Sequence, residues 1–371
     1  IRPMGWALPP QWDPVSGNYA TKDGFIRLHT NAERHRHACL RVLVTNGQRE
    51  NVTKAVQAWE AEALQEAIIA EGGVAAKMLT AEEWSHHQQG QAVAREPLAL
   101  WSSRQERRLR SLGTEQRPLA GLKVLDLTRI LAGPIGTRFL AAFGADVLRI
   151  DPPFWDEPAV LPEVTPGKKC ARLNLHHPAD REIFSDLIGQ ADVLVHGYRA
   201  DALEQLGFGE EHRLQLNPNL IDVALNAYGW NGPWHMRRGF DTIVQMSAGL
   251  AAAEMDFLGK NEPQQLPVQV LDYGTGHLMA AAVLRALVEA QQGRISKIRF
   301  SLARTAQEVL LFRNLDPNRL VPETPEDLAS EVEKSFWGDA KRLKAPVHIG
   351  AHSFVFERPA GPLGRDRPCF S

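Results

Sequence analysis

Leu122-Lys123-Val124-Leu125-Asp126-Leu127-Thr128-Arg129-Ile130-Leu131-Ala132-Gly133-Pro134 opens the most regular part of the chain. Val124 to Leu127 is an apolar run of strand length, and Pro134 can open a helix that runs to Phe143. Gly144 ends that helix, and Val147-Leu148-Arg149-Ile150 supplies the next strand. The alternation continues with a strand over Ala171 to Leu175, a helix over Ala179 to Gly189, and strands at Val193–Val195 and Leu220–Leu225. Longer helices follow near Thr242–Ala253 and Tyr273–Gln291, then a strand at Ile298–Leu302. Repeated βαβ units with short connections predict an α/β fold, a Rossmann-like parallel sheet covered by helices.

Upstream the texture differs. Residues 1 to about 20 are rich in Trp, Pro and Gly and read as an irregular lead-in. Asp23-Gly24 is a hairpin signal before a short strand at Phe25–Leu28. Val52, Val56, Trp59, Ala63 and Ala67 share one helical face, which predicts a helix over Val52–Ala70 closed by Gly72-Gly73. Thr80 with Glu83 is a capping box for a further short helix. The expected organisation is a smaller α+β domain over 1–100, a linker over 101–118, a large Rossmann-like domain over 119–322, and an extended tail over 323–371. The charged Arg104–Pro118 stretch reads as a linker or equally as a solvated helix face.

Composition narrows the function. The 371 residues are 44% hydrophobic and 23% charged, with a formal charge of −2, which argues against a general nucleic-acid binder. The three cysteines, Cys39, Cys170 and Cys369, lie far apart, so neither a disulfide framework nor a cysteine zinc site is expected, and a reducing, cytoplasmic setting fits best. No apolar run approaches the ~18 residues of a membrane helix. Beginning at Ile1, the chain reads as a piece of a longer one. The strand-to-helix loop at Arg129–Gly136 lacks G-x-G-x-x-G, and Walker A, G-x-S-x-G and H-E-x-x-H motifs are absent. The histidine pairs bring no further ligands at metal spacing, so no metal site is expected.

Leu266-Pro267-Val268-Gln269-Val270-Leu271-Asp272-Tyr273-Gly274-Thr275-Gly276-His277 stands out chemically. A carboxylate follows an apolar run at a helix start, and two glycines follow it. A helix N-terminus keeps a carboxylate ionised, and such a group can act as a covalent nucleophile. Glycines there would let a large ligand approach the backbone. Spacing alone favours the plainer reading, in which Asp272 only caps the helix.

Several blocks, in order, resemble the class III CoA-transferases and their α-methylacyl-CoA racemase relatives. They are Leu122 to Arg138, Gly144 to Pro153, Ala191 to Arg199, Asn217 to Ile221, Ala227 to Pro233, and Gly239-Phe240-Asp241 with Gln245. Tyr19 to Gly24 resembles the family's small-domain entry. The resemblance implies transfer of CoA between an acyl-CoA donor and a small carboxylic acid, with Asp272 as covalent nucleophile. It implies that Leu131, Ala132, Leu173 to His176, and Gly197-Tyr198-Arg199 line the CoA. Lys168, Lys169 and Arg199 become the expected phosphate cations, with Arg149 a weaker candidate. CoA enters as substrate, with no permanently bound cofactor, and an interlocked homodimer is implied, with no nucleic-acid or membrane partner.

Departures from the pattern carry information. Phe240 stands where the racemase branch has a histidine base, which disfavours racemisation and leaves Asp241 a structural role, such as capping the helix after it. Trp6 to Ser16 stands near the place of the family's glycine-rich shielding loop without its glycines, and Arg199-Ala200-Asp201 replaces Arg-Pro-Gly. The small-domain-like segment precedes the large one, the reverse of the usual order. An acyl-CoA racemase and a non-catalytic acyl-CoA-binding relative are the competing expectations.

Overall fold

The computed structural model describes residues 1–106, 110, 113–198, 201–312, 324–345, 347–352 and 354–371. After a two-residue strand β1 (Arg2–Pro3), β2 (Gly17–Ala20), β3 (Phe25–Leu28) and β4 (Ala75–Lys77) form a small antiparallel sheet in that order. The β2–β3 turn is the expected Asp23-Gly24 hairpin. Asp23 also explains a correction to the helix prediction. Its Oδ1 accepts the Ala61 amide at 2.8 Å, and the Lys22 amide donates to the Trp59 carbonyl at 3.0 Å. The predicted Val52–Ala70 helix is therefore two helices, Arg49–Val56 and Ala61–Ala70, with the hairpin docked at the break. The Thr80–Glu83 capping box is present as expected.

The large sheet holds β5 (Leu100–Gln105), β6 (Lys123–Leu127), β7 (Asp146–Asp151), β8 (Lys168–Arg172), β9 (Val193–His196), β10 (Ile221–Asn226) and β11 (Arg294–Ser301). Their order is β5-β11-β10-β9-β6-β7-β8. The six strands from β6 to β11 run parallel, and β5 closes one edge antiparallel to β11. Counted from β6, the parallel part is the doubly wound order 3-2-1-4-5-6, in which ligands bind beyond the carboxyl ends of the strands where the order reverses. That point lies between β6 and β9.

Three expectations shift here. Residues 101–105, expected as linker, belong to the sheet as β5; the exposed positions of this edge strand, Ser102, Ser103 and Gln105, are polar, which hides it from a hydrophobic pattern. The strand expected at Ala171–Leu175 begins earlier, at Lys168, after the turn at Gly167 with φ +78°. The helix expected over Thr242–Ala253 is likewise two, Asp241–Ser247 and Leu250–Phe257, divided at Gly249 with φ +86°. A Cβ on Gly249 would overlap the Ala81 backbone, so this glycine admits the small unit against the large one.

The stretch expected as an extended tail is bound to the large unit. Its hairpin, β12 (Glu333–Ser335) and β13 (Gly338–Lys341), pairs with β1. Arg342 ion-pairs with Glu163, and Ala360, Leu363 and Phe370 are buried. No helix among the described residues is long and apolar enough to cross a membrane.

Candidate active site

Asp272 lies in the first turn of the helix Val270–Ala290, in the segment singled out from sequence. The backbone reaches that helix through Val268 and Gln269, both left-handed with φ +59° and +50°. For a β-branched residue such as Val268 this conformation is strained, and strain of this kind persists only where the surroundings impose it. The imposing groups are Asp241 and Gln245. Asp241 Oδ2 accepts the amides of Leu271 at 2.8 Å and Asp272 at 3.1 Å, and its Oδ1 accepts from Gln245 Nε2 at 2.6 Å. Gln245 Oε1 takes the Leu266 amide at 2.8 Å. Asp241 thus has the structural role expected for it, but on a different helix: it caps the one that carries Asp272.

This changes the electrostatics expected of Asp272. The amide donors at the helix start are given to Asp241, and among the described residues nothing donates to the Asp272 carboxylate. Burial, and then the charge of Asp241, hold Asp272 well above the usual carboxylate range. Asp241 is also raised by burial, opposed by its hydrogen bonds and by Arg27. The helix dipole alone suggested the reverse, an easily ionised Asp272.

A cavity of about 720 Å³ opens at Asp272. The lead-in supplies Trp12, the end of the small sheet supplies His29, and Leu131, Trp155, Phe240 and Thr242 come from the large unit. The sequence reading missed His29, Trp12 and Thr242, because they are distant from one another and from Asp272 along the chain. Burial, His35 and Arg27 push His29 down to about 3, so its imidazole is neutral. Glu157 closes part of the wall: its Oε2 accepts the Ile130 amide and Trp155 Nε1, each at 2.9 Å, and its Oε1 accepts from Arg149 at 2.6 Å.

The residues expected along CoA lie in different parts of the fold. Leu131 lines the Asp272 cavity, and Ala132 opens the helix beside it at the carboxyl end of β6. Gly197 and Tyr198 follow β9, across the switch point. The Tyr198 hydroxyl accepts from Arg129 at 3.0 Å, and the Arg129 guanidinium lies 4.7 Å from the Trp155 ring and 4.9 Å from that of Tyr198. His176 is exposed, and Lys169 donates to the Cys369 carbonyl at 3.2 Å. Arg199 lies outside the described residues.

Lys168, Arg149 and Leu173 correct the expectation. Lys168 is wholly buried and donates to Asp126 Oδ2 at 2.9 Å, the Pro134 carbonyl at 2.9 Å and Thr137 Oγ1 at 2.7 Å. An ammonium has three N–H groups, so none is left for a phosphate. Arg149 is equally buried against Asp151 and Glu157, and Leu173 belongs to the apolar core below the sheet. The second glycine after Asp272 is also explained differently. A Cβ on Gly276 would overlap the Ala132 carbonyl oxygen, so Gly276 admits the helix Ala132–Ala142 rather than a ligand.

Residues 119–326 match CoA-transferase family III, more than half of the chain. The chain belongs to CoA-transferase family III. Among its relatives in this family, an acetyl-coenzyme A transferase of Hypoxylon pulicicidum is 38% identical over 193 residues, 50% of this chain and 32% of that protein. A Mycobacterium tuberculosis protein named "Probable fatty acyl-CoA transferase" is 32% identical over 196 residues, 49% of each chain. The human succinyl-CoA:glutarate CoA-transferase is 30% identical over 205 residues, 51% of this chain and 45% of that one. The chain thus spans half or less of the length of these curated relatives. A crystal structure of the Mycobacterium tuberculosis protein shares the fold, with a TM-score of 0.56 at 21% identity, covering 67% of this chain and 97% of that one. The segment that matches the family carries the six parallel strands of the Rossmann-like sheet and the helix of Asp272.

Proposed function

We propose that this transferase moves CoA from an acyl-CoA to a small carboxylic acid through Asp272. The supporting observation is a carboxylate with no donor among the described residues, lining a cavity, on a helix start held by Asp241 and Gln245. In the first half-reaction an Asp272 oxygen bonds to the thioester carbonyl carbon, the C–S bond breaks, and CoA leaves as thiolate. The thiolate then attacks the Asp272 carbonyl of the mixed anhydride, releasing the donor acid and leaving an aspartyl-CoA thioester. The acceptor carboxylate attacks that thioester in turn, and the thiolate takes the acceptor acyl group, restoring Asp272. Raised proton affinity suits this role, because a more basic carboxylate is the better nucleophile once ionised.

Two features support transfer over racemisation. Phe240 offers no base, and His29, whose ring meets Phe240 with centroids 3.9 Å apart, is too weakly basic to take an α-proton. Acyl-CoA, a carboxylic acid and a second copy of the chain are the proposed partners, in the cytoplasm. The test is to incubate the full-length protein with an acyl-CoA and hydroxylamine, then map its peptides. A hydroxamate at Asp272 is the expected product, absent in Asp272→Asn. Full transfer activity in Asp272→Asn would overturn the proposal.

A further inference from the structure

Two residues that line the Asp272 cavity each carry a buried polar atom with no hydrogen-bond partner among the described residues. One is Nδ1 of His29, just beyond β3 in the small unit; the other is Oγ1 of Thr242, beside Asp241 in the large unit. Both residues are only 6% exposed. Buried polar atoms are nearly always paired, so two orphans in one cavity call for a ligand that pairs them. Both side chains are also held in place. The His29 ring meets Phe240 edge-on at 3.9 Å and Trp12 at 6.0 Å, and its backbone amide donates to Val74. Thr242 sits one residue after the carboxylate that fixes the Asp272 amide.

We infer that His29 and Thr242 form the acyl-oxygen site of this cavity, hydrogen-bonding the carbonyl oxygen of the acyl thioester that Asp272 attacks. The inference rests on Asp272 being the nucleophile. As the Asp272 oxygen bonds to the acyl carbon, the carbonyl π pair moves onto that oxygen, where the imidazole N–H and the threonine O–H receive it. When the pair returns, the C–S bond breaks and sulfur departs with its electrons as CoA thiolate. Donors already in place at the oxygen stabilise this charge without reorganising. The neutral imidazole supplies one N–H across the assay range, since burial keeps it unprotonated. The small unit thereby contributes directly to a reaction carried by the large one.

The test uses full-length protein bearing His29→Phe or Thr242→Val, which keep the approximate shape and remove the donor. Each variant is expected to lower kcat/KM for acyl-CoA by roughly 10- to 100-fold, mostly through kcat, while thermal stability holds or rises because a buried orphan has gone. His29→Asn, whose amide overlays Nδ1, should recover part of the rate. The Asp272 adduct should still form in both variants, more slowly by the same factor. Wild-type adduct formation rates in the variants would overturn this inference alone, as would activity losses that merely follow loss of stability. If His29→Phe fails to fold, Thr242→Val decides by the same criteria. An absence of adduct in the wild-type protein would instead remove the nucleophile on which the inference rests.

Discussion

At the scale of single residues, the clearest separation is between neighbours. Lys168 and Lys169 form one basic pair in the sequence, but successive residues of a strand face opposite sides of the sheet. Lys168 points inward and neutralises Asp126, while Lys169 stays near the surface. Period-two geometry could have warned that the pair would be split; which member faces inward depends on the register of β8 with β7, Val147 opposite Lys168. Lys168→Met should destabilise the protein by about 3–5 kcal/mol, since it leaves a buried carboxylate uncompensated, whereas Lys169→Met should change stability by under about 0.5 kcal/mol. Denaturant titration of the two variants checks this, and equal small losses would contradict it.

Asp272 carries a second prediction at this scale. Its folded-state proton affinity is raised above the ordinary carboxylate value by burial and by Asp241. The stability it contributes is therefore present below about pH 4 and is lost as pH rises through the raised value. Asp272→Asn should thus melt increasingly above the wild type as pH rises from about 4 toward neutrality. The adduct-forming rate of the wild type should climb over the same window, because the attacking form is the carboxylate. A melting difference independent of pH would show that Asp272 is not perturbed. Position and identity of this residue were visible in the sequence; its proton affinity was not, because Asp241 takes the helix donors from 31 residues away.

At the scale of elements, two glycines after Asp272 looked alike in sequence and differ in the fold. Gly276 lies where the helices Val270–Ala290 and Ala132–Ala142 touch, and a Cβ on Gly136 would stand 2.7 Å from the Gly276 carbonyl oxygen. A Cβ on Gly274 would meet only Thr305 Cγ2 at 3.6 Å, an ordinary contact. Gly276→Ala should cost about 1–3 kcal/mol or more through overpacking and displace Asp272 with its helix, while Gly274→Ala should be neutral or slightly stabilising. Thermal melts and activity assays of both variants check the contrast, and equal effects would refute the packing account. The βαβ alternation and the Thr80–Glu83 cap were readable because they depend on local pattern. The helix breaks at Trp59 and Gly249 were not, because the Asp23 cap and the Ala81 backbone arrive from elsewhere in the chain.

At the scale of the molecule, the sequence order of the units hides how they meet. The small sheet docks on the helix Asp241–Ser247, with the Leu79 amide donating to the Met246 carbonyl at 3.0 Å. That docking carries His29 and Trp12 to the cavity and sets Arg27 near Asp241. Local pattern fixes each unit's elements, while the cavity arises only from their packing, which is why the helix start at Asp272 is legible in the sequence and its surroundings are not. The large unit's strand order places Leu131 and Tyr198 on either side of the switch point, where a doubly wound sheet receives its ligand.

The central claim is that Asp272 itself becomes covalently joined to the substrates, and oxygen labelling tests it most directly. A single turnover is run with an acceptor acid whose carboxylate carries heavy oxygen, and the Asp272 peptide is then weighed. The covalent route passes one acceptor oxygen through the anhydride into the restored carboxylate, so the peptide gains one heavy oxygen. Completed CoA transfer with an unlabelled Asp272 peptide would contradict the account.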